Sequence, residues 1–445
     1  MENVSKKVNK KSILITGIIL FQIFSYIVLS NAFTINLGNR MPLKLSEIFS
    51  IVTFISAFYF LIKNKWKFKS LKRSKNRWIY VWIIYAFVLD FICLIINGYA
   101  FNDFAYGLFY LFRIIHLLLL VRALNYLIDC QKISKKWLVK FIKMCYFLVV
   151  LIGLFQYLVY PIAYDWYGVF YKLGFYWPTP DPHHDRLLST YLDPNYLASC
   201  LLIPIAICFA ELIDFNNRRN KNNSLSIKLI LEIVIFVIAI LLTKSRSGMV
   251  GLIVVLIFYF IFYELKKPIG IYKIVLYLLM LITFFYLFFF SNITVFERIR
   301  NFYSDPSAMH RFDSWKYSLQ YYKDTNFLGI GYNMLGAYKL KIGEEVGRAA
   351  SYGMDSSLLF ILVTTNIIGL GIVLYGFYKI FKYKNHNLIN IAVKMILITS
   401  IVISFFNNLL FNPVWMFPVF LIEMVLNNPI NKIKGKGLKN ESIIN

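Results

Sequence analysis

Charged residues are scarce in this sequence. Only 16% of the 445 residues are Asp, Glu, Lys or Arg, whereas 59% are hydrophobic, and the mean hydropathy is +0.62. An average soluble domain carries about a quarter of its residues as charged side chains. The composition therefore argues against an ordinary soluble enzyme and favours an integral membrane protein.

Acidic residues are the scarcer of the two charged classes. The chain has 22 Asp and Glu against 48 Lys and Arg, which gives a formal net charge of +26. A basic surplus can indicate a nucleic-acid partner, but here the basic residues lie between apolar runs and form no stripe along a helix. We therefore expect no nucleic acid as a partner and attribute the charge to membrane topology.

Cysteine is rare as well. The five cysteines fall in apolar runs or in segments that we predict to be cytoplasmic, at Cys93, Cys130, Cys145, Cys200 and Cys208. None has the spacing of a metal-ligand set. The sequence therefore predicts neither a disulfide nor a zinc site.

Long apolar runs, by contrast, are abundant. A helix needs about 20 residues to cross about 30 Å of hydrocarbon, and we expect twelve spans, at roughly 13–33, 45–62, 78–96, 105–124, 138–160, 191–213, 228–243, 247–264, 271–291, 356–378, 388–406 and 412–427. The first run has no small-residue cleavage site and is expected to be retained as a helix. The predicted fold is an all-α integral membrane protein, a single polytopic domain over residues 1–445.

The distribution of basic residues predicts the sidedness of these spans. The N-terminus, alternate loops and the C-terminus together hold 33 of the 48 Lys and Arg, which places both termini in the cytoplasm. Residues 292–355 then form one large extracytoplasmic loop between spans 9 and 10. In this loop Asp305-Pro306 resembles a helix start, and Met309, Phe312 and Trp315 follow at helical spacing, so we expect short helices there.

Two short outer segments carry candidate anion-binding residues. The hairpin between spans 7 and 8 reads LLTKSRSGMVG, which places Arg246 at the membrane edge beside serine donors and a glycine that permits close helix approach. A guanidinium can hold a phosphate through two hydrogen bonds, although an arginine at a helix end can also simply reach the interface. Arg186 precedes span 6, where Asp193-Pro194-Asn195 breaks the helix start.

A metal ion is not expected at the outer segments. His183, His184 and Asp185 are adjacent on a proline-rich loop. Catalytic zinc sites usually have three protein ligands and structural sites four, contributed from a framework that fixes their geometry. We therefore predict a solvated or substrate-contacting loop, and no metal or other cofactor.

The long loop offers the remaining candidates. Arg311 and Trp315 are four residues apart on one helical face, which suits a phosphate next to a sugar or lipid, or alternatively an interfacial anchor. Asp355 is placed to accept a proton from an acceptor hydroxyl, or to cap the helix that follows. His310 is a second candidate base. The run NFLGIGYNM lacks the strand and glycine pattern of a nucleotide site and predicts a turn.

Two charges fall inside predicted spans. Asp90 in span 3 and Arg113 in span 4 are costly in hydrocarbon unless they are paired or functional. Their distances from the outer ends of consecutive helices place them at depths that differ by about 3 Å. We therefore predict that Asp90 and Arg113 form an intramembrane pair.

Taken together, these segments resemble the O-antigen polymerase and ligase family of bacterial surface-polysaccharide enzymes (Wzy type). The matching positions are Arg186 with Asp193-Pro194-Asn195, SRSG at 245–248, Arg311 with Trp315, GIGYN at 329–333, the helix led by Asp355 that runs to Asn366-Ile-Ile-Gly369, and NNLLFNPVWMFP at 407–418. The resemblance implies a substrate carried on undecaprenyl diphosphate and a metal-independent glycosyl transfer. It also implies that Arg186, Arg246 and Arg311 hold the diphosphate.

The resemblance also indicates which branch of the family to expect. The ligase branch usually begins its last loop-to-helix junction with histidine and asparagine, whereas this chain has Asp355-Ser356. We therefore expect a polymerase that joins oligosaccharide repeats into capsule, exopolysaccharide or O-antigen at the outer face of the bacterial cytoplasmic membrane, in contact with membrane lipids and possible chain-length regulators. The alternatives are a ligase that moves finished glycan to another acceptor and a flippase for lipid-linked oligosaccharide.

Overall fold

Long apolar helices make up most of the described chain. The computed structural model describes residues 10–36, 42–63, 76–131, 133–173, 185–217, 223–262, 306–344, 354–383 and 388–426. Its helices in this part of the chain are α1 (Lys10–Phe24, continued by a π-helix, Ser25–Leu29), α2 (Leu45–Lys63), α3 (Arg77–Asn97), α4 (Phe101–Gln131), α5 (Lys135–Val159), α6 (Ala163–Lys172), a 3₁₀ turn (Ser189–Tyr191), α7 (Pro194–Asn217), α8 (Asn223–Leu242), α9 (Arg246–Phe262), α10 (Pro306–Asp324), α11 (Leu335–Lys341), α12 (Ser357–Lys382), α13 (Leu388–Ile403) and α14 (Pro413–Phe420, continued by a π-helix, Leu421–Leu426). A short antiparallel hairpin of β1 (Thr34–Asn36) and β2 (Pro42–Lys44) precedes α2.

The helices agree with the predicted spans. Seven described helices are long and apolar enough to cross a membrane, and four shorter apolar helices accompany them. Each of these eleven coincides with a predicted span, whereas the predicted ninth span at 271–291 lies outside the described residues. The helical membrane-protein class is therefore confirmed, apart from the small β-hairpin. The number of spans and their sidedness stay predictions.

Helices α2 and α4 have a regular arrangement. Arg113 donates two hydrogen bonds to Glu47, Ser50 Oγ lies 2.6 Å from His116 Nε2, and Tyr126 OH donates to Phe60 O. Every one of these pairs is 66 residues apart. A constant separation means that α2 and α4 run parallel and in register, as expected when one span lies between them in the chain.

The predicted pair of Asp90 with Arg113 is wrong. The Arg113 guanidinium bonds to Glu47 in the first turn of α2, with Nη2 at 2.9 Å from Oε2. Asp90 Oδ1 instead accepts a hydrogen bond from the backbone N–H of Tyr332. Matched depth along two helices did not decide the partner, because Asp90 and Arg113 lie on faces that pack against different elements.

The loop that contains GIGYN enters the helix bundle. Helix α12 is interrupted at Thr365 and Asn366, where Asn366 has φ 53°. The carbonyls of Val363 and Thr364 would lose their helical partners at this break, and they accept hydrogen bonds from Ile330 N and Gly331 N at 3.0 and 3.1 Å. The turn predicted for this sequence is therefore confirmed, and it satisfies buried backbone groups that lipid would leave unpaired.

Two glycines make this turn possible. Gly329 and Gly331 both have φ 97°, a conformation that side chains with a Cβ rarely adopt. A Cβ on Gly331 would also lie 2.8 Å from Met334 Sδ. Ile330 and Tyr332 are almost fully buried beside these glycines. Part of the long predicted loop therefore belongs to the core.

One end of the bundle carries a partly buried ionic cluster. Lys143 Nζ lies 2.6 Å from Glu211 Oε2 and 2.7 Å from Glu232 Oε2, and so joins α5, α7 and α8. Cys208, Glu211 and Glu232 offer ligand atoms within 4.8 Å of one another, a grouping suited to a metal that sequence spacing did not reveal. The Lys143 ammonium contacts both carboxylates and already provides the positive charge that they require.

Candidate functional site

The opposite end of the bundle contains the predicted site residues. The turn between α8 and α9 contains Lys244, whose φ is 50°. Ser245 Oγ accepts a hydrogen bond from Gly248 N and so caps the start of α9. A Cβ on Gly248 would clash with Ala198 Cβ of α7. The SRSG sequence thus ends one helix, starts the next and lets α9 approach α7 closely.

Arg186 lies against this turn. Its Nε donates a 2.8 Å hydrogen bond to Thr243 O, and the neighbouring Leu187 N donates to Leu242 O at 3.0 Å. Arg246 is the first residue of α9, three residues after Thr243. The structure therefore brings Arg186 and Arg246 to one turn although sixty residues separate them in sequence.

The start of α7 is joined to the same turn. Asp193 Oδ1 accepts hydrogen bonds from Asn195 N and Tyr196 N at 2.6 and 3.1 Å, which makes Asp193 the cap of α7 with Pro194 in its first position. Ser245 Oγ then donates to Asn195 Oδ1 at 2.8 Å. The Asp193-Pro194-Asn195 motif therefore starts a helix and positions an amide beside the SRSG serines.

Asn407 links this turn to two further helices. Its side-chain Nδ2 donates to Ser247 Oγ at 2.8 Å. Its backbone carbonyl accepts hydrogen bonds from Ser357 N and Ser357 Oγ at 3.1 and 2.9 Å. Ser357 Oγ in turn accepts from Leu409 N. Asn407 is only 6% exposed. It therefore fixes the start of α9, the start of α12 and the segment after α13 relative to one another.

The same segment bonds to α7. Tyr196 OH donates to the carbonyl of Asn408 at 3.1 Å. The roles of Tyr196, Asn407 and Ser357 did not emerge from the sequence. The available signal was an Asn-Asn pair that interrupts two apolar runs, which marks a helix break but not its distant partners.

Asp355 and Arg311 are neighbours at the start of α12. Arg311 Nε lies 3.5 Å from Asp355 Oδ2, and the two side chains are 18% and 55% exposed. The cap of α12 is Ser356, whose Oγ accepts from Leu359 N. The alternative in which Asp355 caps this helix is therefore wrong, and the Asp355 carboxylate instead faces an arginine and solvent.

Helix α10 confirms the predicted helix of the long loop. It begins at Pro306, and Asp305 lies outside the described residues. Trp315 packs one turn beyond Arg311, with ring centroids 5.5 Å from Phe312 and 6.4 Å from Phe406. Within the described chain, the buried Trp315 Nε1 has no hydrogen-bond partner. An indole donor and a guanidinium thus lie on one face of α10, beside the segment that contains Asn407.

The histidine candidates are only partly placed. His183 and His184 lie outside the described residues, and Asp185 is exposed. His310 lies on α10 directly before Arg311, but its side chain is outside the described part of the structure. The described elements therefore bring Arg186 and Arg246 together at the turn between α8 and α9. They also join Arg311 to Asp355 at the start of α12. Asn407 bonds the start of α12 to the turn between α8 and α9.

Comparison with known proteins gives one family match. Residues 231–374 match the family model described as O-antigen ligase. This matched segment of the chain is similar to the O-antigen ligase family. The match includes Arg246, Arg311, Asp355 and the GIGYN turn, and it is consistent with the O-antigen polymerase and ligase family. No curated protein matches the chain.

The match to the O-antigen ligase family model bears on the function of the chain. It supports a ligase-type or polymerase-type role in surface-glycan assembly, and its members are membrane glycosyltransferase-like enzymes. The family implies lipid-linked glycans as substrates. The apolar helices and the match together support a multi-pass membrane protein.

Proposed function

We propose that the protein polymerises undecaprenyl-diphosphate-linked oligosaccharide repeat units into a capsule, exopolysaccharide or O-antigen. The observation that carries this proposal is the continuous polar network at one end of the bundle. It runs from Arg186 and the SRSG turn through Asn407 to Ser357, next to Asp355 and Arg311. Arginines and hydroxyls at the edge of a helix bundle suit an anionic lipid headgroup.

In the proposed reaction, negative charge develops on the leaving diphosphate. The oxygen of an acceptor hydroxyl forms a bond to the anomeric carbon of the donor, and the bond from that carbon to the diphosphate oxygen breaks. The electron pair leaves with the diphosphate. Arg186, Arg246 and Arg311 would stabilise this developing charge, because preorganised donors lower the energy of the transition state. We propose that the transfer is metal-independent, with guanidinium groups in the role of the cation.

The proton of the acceptor hydroxyl needs a base. We assign this role to Asp355, with His310 as the second candidate. The Arg311 contact of 3.5 Å is long for an ion pair, and Asp355 remains more than half exposed. If Arg311 turns from Asp355 to a bound diphosphate, the carboxylate becomes available to the acceptor. Substrate binding and activation of the base would then be one event.

Ligation is the second candidate function, because the matching family model is described as O-antigen ligase. We favour polymerisation because of two sequence features, the Asp355-Ser356 junction and the NNLLFNPVWMFP segment. We also place the active site at the outer face of the bacterial inner membrane, where a chain-length regulator would have access to the growing glycan. A flippase for lipid-linked oligosaccharide, which would be a transporter and not an enzyme, is the third candidate.

Analysis of lipid-linked glycans in a deletion strain separates these functions. Single repeats that accumulate at the outer face support polymerisation. Long chains that remain on the lipid carrier would support ligation instead. Single repeats held at the inner face would support a flippase and contradict the proposed reaction. Restoration by the wild-type gene is the control.

A further inference from the structure

Helix α10 exposes one stripe of apolar and basic side chains. Met309, Phe312 and Leu319 are 45%, 41% and 43% exposed, and Lys316 and Lys323 are exposed as well. At 3.6 residues per turn, these five side chains fall within about 80° of one another around the helix axis. They form a single surface, which we call the α10 stripe.

The other faces of α10 have different surroundings. Ser318 and Tyr321 are buried on the side opposite the stripe, and α10 packs against α12. Asp313 and Asp324 are exposed on a third face, about 80–100° from the centre of the stripe. The acidic side chains of α10 therefore point away from the stripe, and the charge of the stripe is that of its two lysines.

These two lysines are not neutralised by the protein. In the part of the chain that the structure describes, no carboxylate lies within 4.0 Å of the ammonium group of Lys316 or Lys323. Each lysine follows an exposed apolar residue of the stripe, Phe312 or Leu319, after one helical turn. The stripe therefore fits a partner that is apolar and anionic at the same time.

Both ends of α10 are tied to the ends of long apolar helices. Near its start, Arg311 contacts Asp355, two residues before α12. Near its end, Tyr321 packs on α11, and Lys341 at the end of α11 lies 6.0 Å from the ring centroid of Tyr99, two residues beyond α3. Helices α3 and α12 are both long and apolar enough to cross a membrane. Helix α10 therefore lies across one end of these two helices, at the level where hydrocarbon meets lipid headgroups.

We propose that the α10 stripe binds the headgroup region of anionic phospholipids. The apolar side chains enter the boundary of the acyl chains, and the lysine stems lie along it while their ammonium groups reach the lipid phosphates. Lysines beside an apolar surface favour anionic over zwitterionic lipid. This surface is separate from the arginines of the proposed reaction, and its test does not depend on that reaction.

Spin labels at two neighbouring positions test where the stripe lies. The full-length protein, with its native cysteines replaced by alanine, is reconstituted in nanodiscs. A nitroxide at Leu319→Cys should collide with oxygen, which concentrates in hydrocarbon, whereas a nitroxide at Gln320→Cys should collide with a water-soluble nickel chelate. Gln320 is the matched control, because it is exposed on the polar side of the same helical turn.

Two outcomes of the labelling would overturn the proposal. Equal access of the nickel chelate to both labels would place the stripe in water. Protection of the Leu319→Cys label from both reagents would show that protein covers the stripe, either a second copy of the chain or another part of it.

Exchange of the lipid tests the preference for charge. The unfolding midpoint of the wild type should be several degrees higher in phosphatidylglycerol nanodiscs than in phosphatidylcholine nanodiscs, because a ligand of the folded state stabilises it. Lys316→Gln combined with Lys323→Gln should lose most of this difference. Lys316→Arg combined with Lys323→Arg keeps both charges and should retain it. Both lysines are exposed, so we expect both double variants to fold. A lipid difference in the glutamine variant equal to that of the wild type overturns the proposal.

Discussion

Asn407 Nδ2 donates a 2.8 Å hydrogen bond to Ser247 Oγ, and this one contact ties the start of α9 to the segment between α13 and α14. The carbonyl of the same asparagine holds Ser357 at the start of α12. The relative placement of Arg246 and Asp355 therefore depends on a residue that need not touch the substrate.

We expect Asn407→Ala to reduce polymer formation about 10-fold or more. The change removes the Asn407 amide donor from buried Ser247, which retains its 3.1 Å contact with Ser245 Oγ, and a lost buried hydrogen bond costs about 1–3 kcal/mol. Asn408→Ala is the matched control, because Asn408 contributes its backbone carbonyl to Tyr196, which alanine retains. Polymer length and membrane protein level in a complemented deletion strain provide the measurement. Equal polymer from both variants would contradict the positioning role of Asn407.

The arginines of the candidate site should not tolerate lysine. Lysine keeps the charge but loses the planar fork that binds a phosphate through two hydrogen bonds. We expect Arg186→Lys, Arg246→Lys and Arg311→Lys each to slow transfer by about 10² to 10³-fold, equivalent to about 3–4 kcal/mol of lost transition-state stabilisation. The control is Arg77→Lys, at the exposed start of α3. Normal polymer from a variant removes that arginine from the proposed diphosphate site.

Gly248 should be intolerant of a methyl group. Gly248→Ala places a Cβ against Ala198 Cβ, so α9 must move away from α7 or the protein must unfold; overpacking of this kind typically costs about 1–3 kcal/mol. We expect a lower unfolding temperature and lower activity, with partial recovery in Gly248→Ala combined with Ala198→Gly. Gly371→Ala is the control, because no atom lies within 4 Å of its added Cβ. Failure of the double variant to recover would show that the contact with Ala198 is not the cause.

The Arg113 pairing gives a direct test of the bundle. Arg113→Gln strands the Glu47 carboxylate in the interior, which costs about 3–5 kcal/mol, and should lower the yield of folded protein. The second change Glu47→Gln should restore part of that yield, whereas Asp90→Asn should not, because Asp90 bonds to Tyr332. Size-exclusion profiles of the purified variants measure the folded fraction. Rescue by Asp90→Asn instead would mean that Arg113 pairs with Asp90.

The sequence was sufficient for the helices but not for their partners. Apolar runs of membrane-spanning length predicted α2 to α5, and a proline followed by helically spaced apolar residues predicted α10, because both signals are local. The pair of Asp90 with Arg113 was wrong since it used depth alone, without knowledge of which helix faces meet. Glu47 was missed because it lies in a first helical turn, where an acidic residue is ordinary.

The candidate site was predictable as segments and not as a network. Arg186, Arg246 and Arg311 were found from local residue types at predicted membrane edges. The contacts of Asn407 with Ser247 and Ser357 span 160 and 50 residues, and such contacts depend on how the bundle packs. A polar residue in an apolar run indicates only that some partner exists.

The turn at Gly329 and Gly331 restricts how the protein can move. Its N–H groups occupy the carbonyls of Val363 and Thr364, and Asn366 Nδ2 bonds back to Leu328 O at 3.0 Å. Asp90 of α3 holds the adjacent Tyr332 from the other side. A rocking motion that slid α12 past α3, as a carrier with alternating access requires, would expose two backbone carbonyls and a carboxylate to hydrocarbon at once. The GIGYN turn is thus fastened to α3 and α12, and under the proposed polymerisation we expect substrates to enter a largely preformed site at one face rather than to be passed from one side of the membrane to the other.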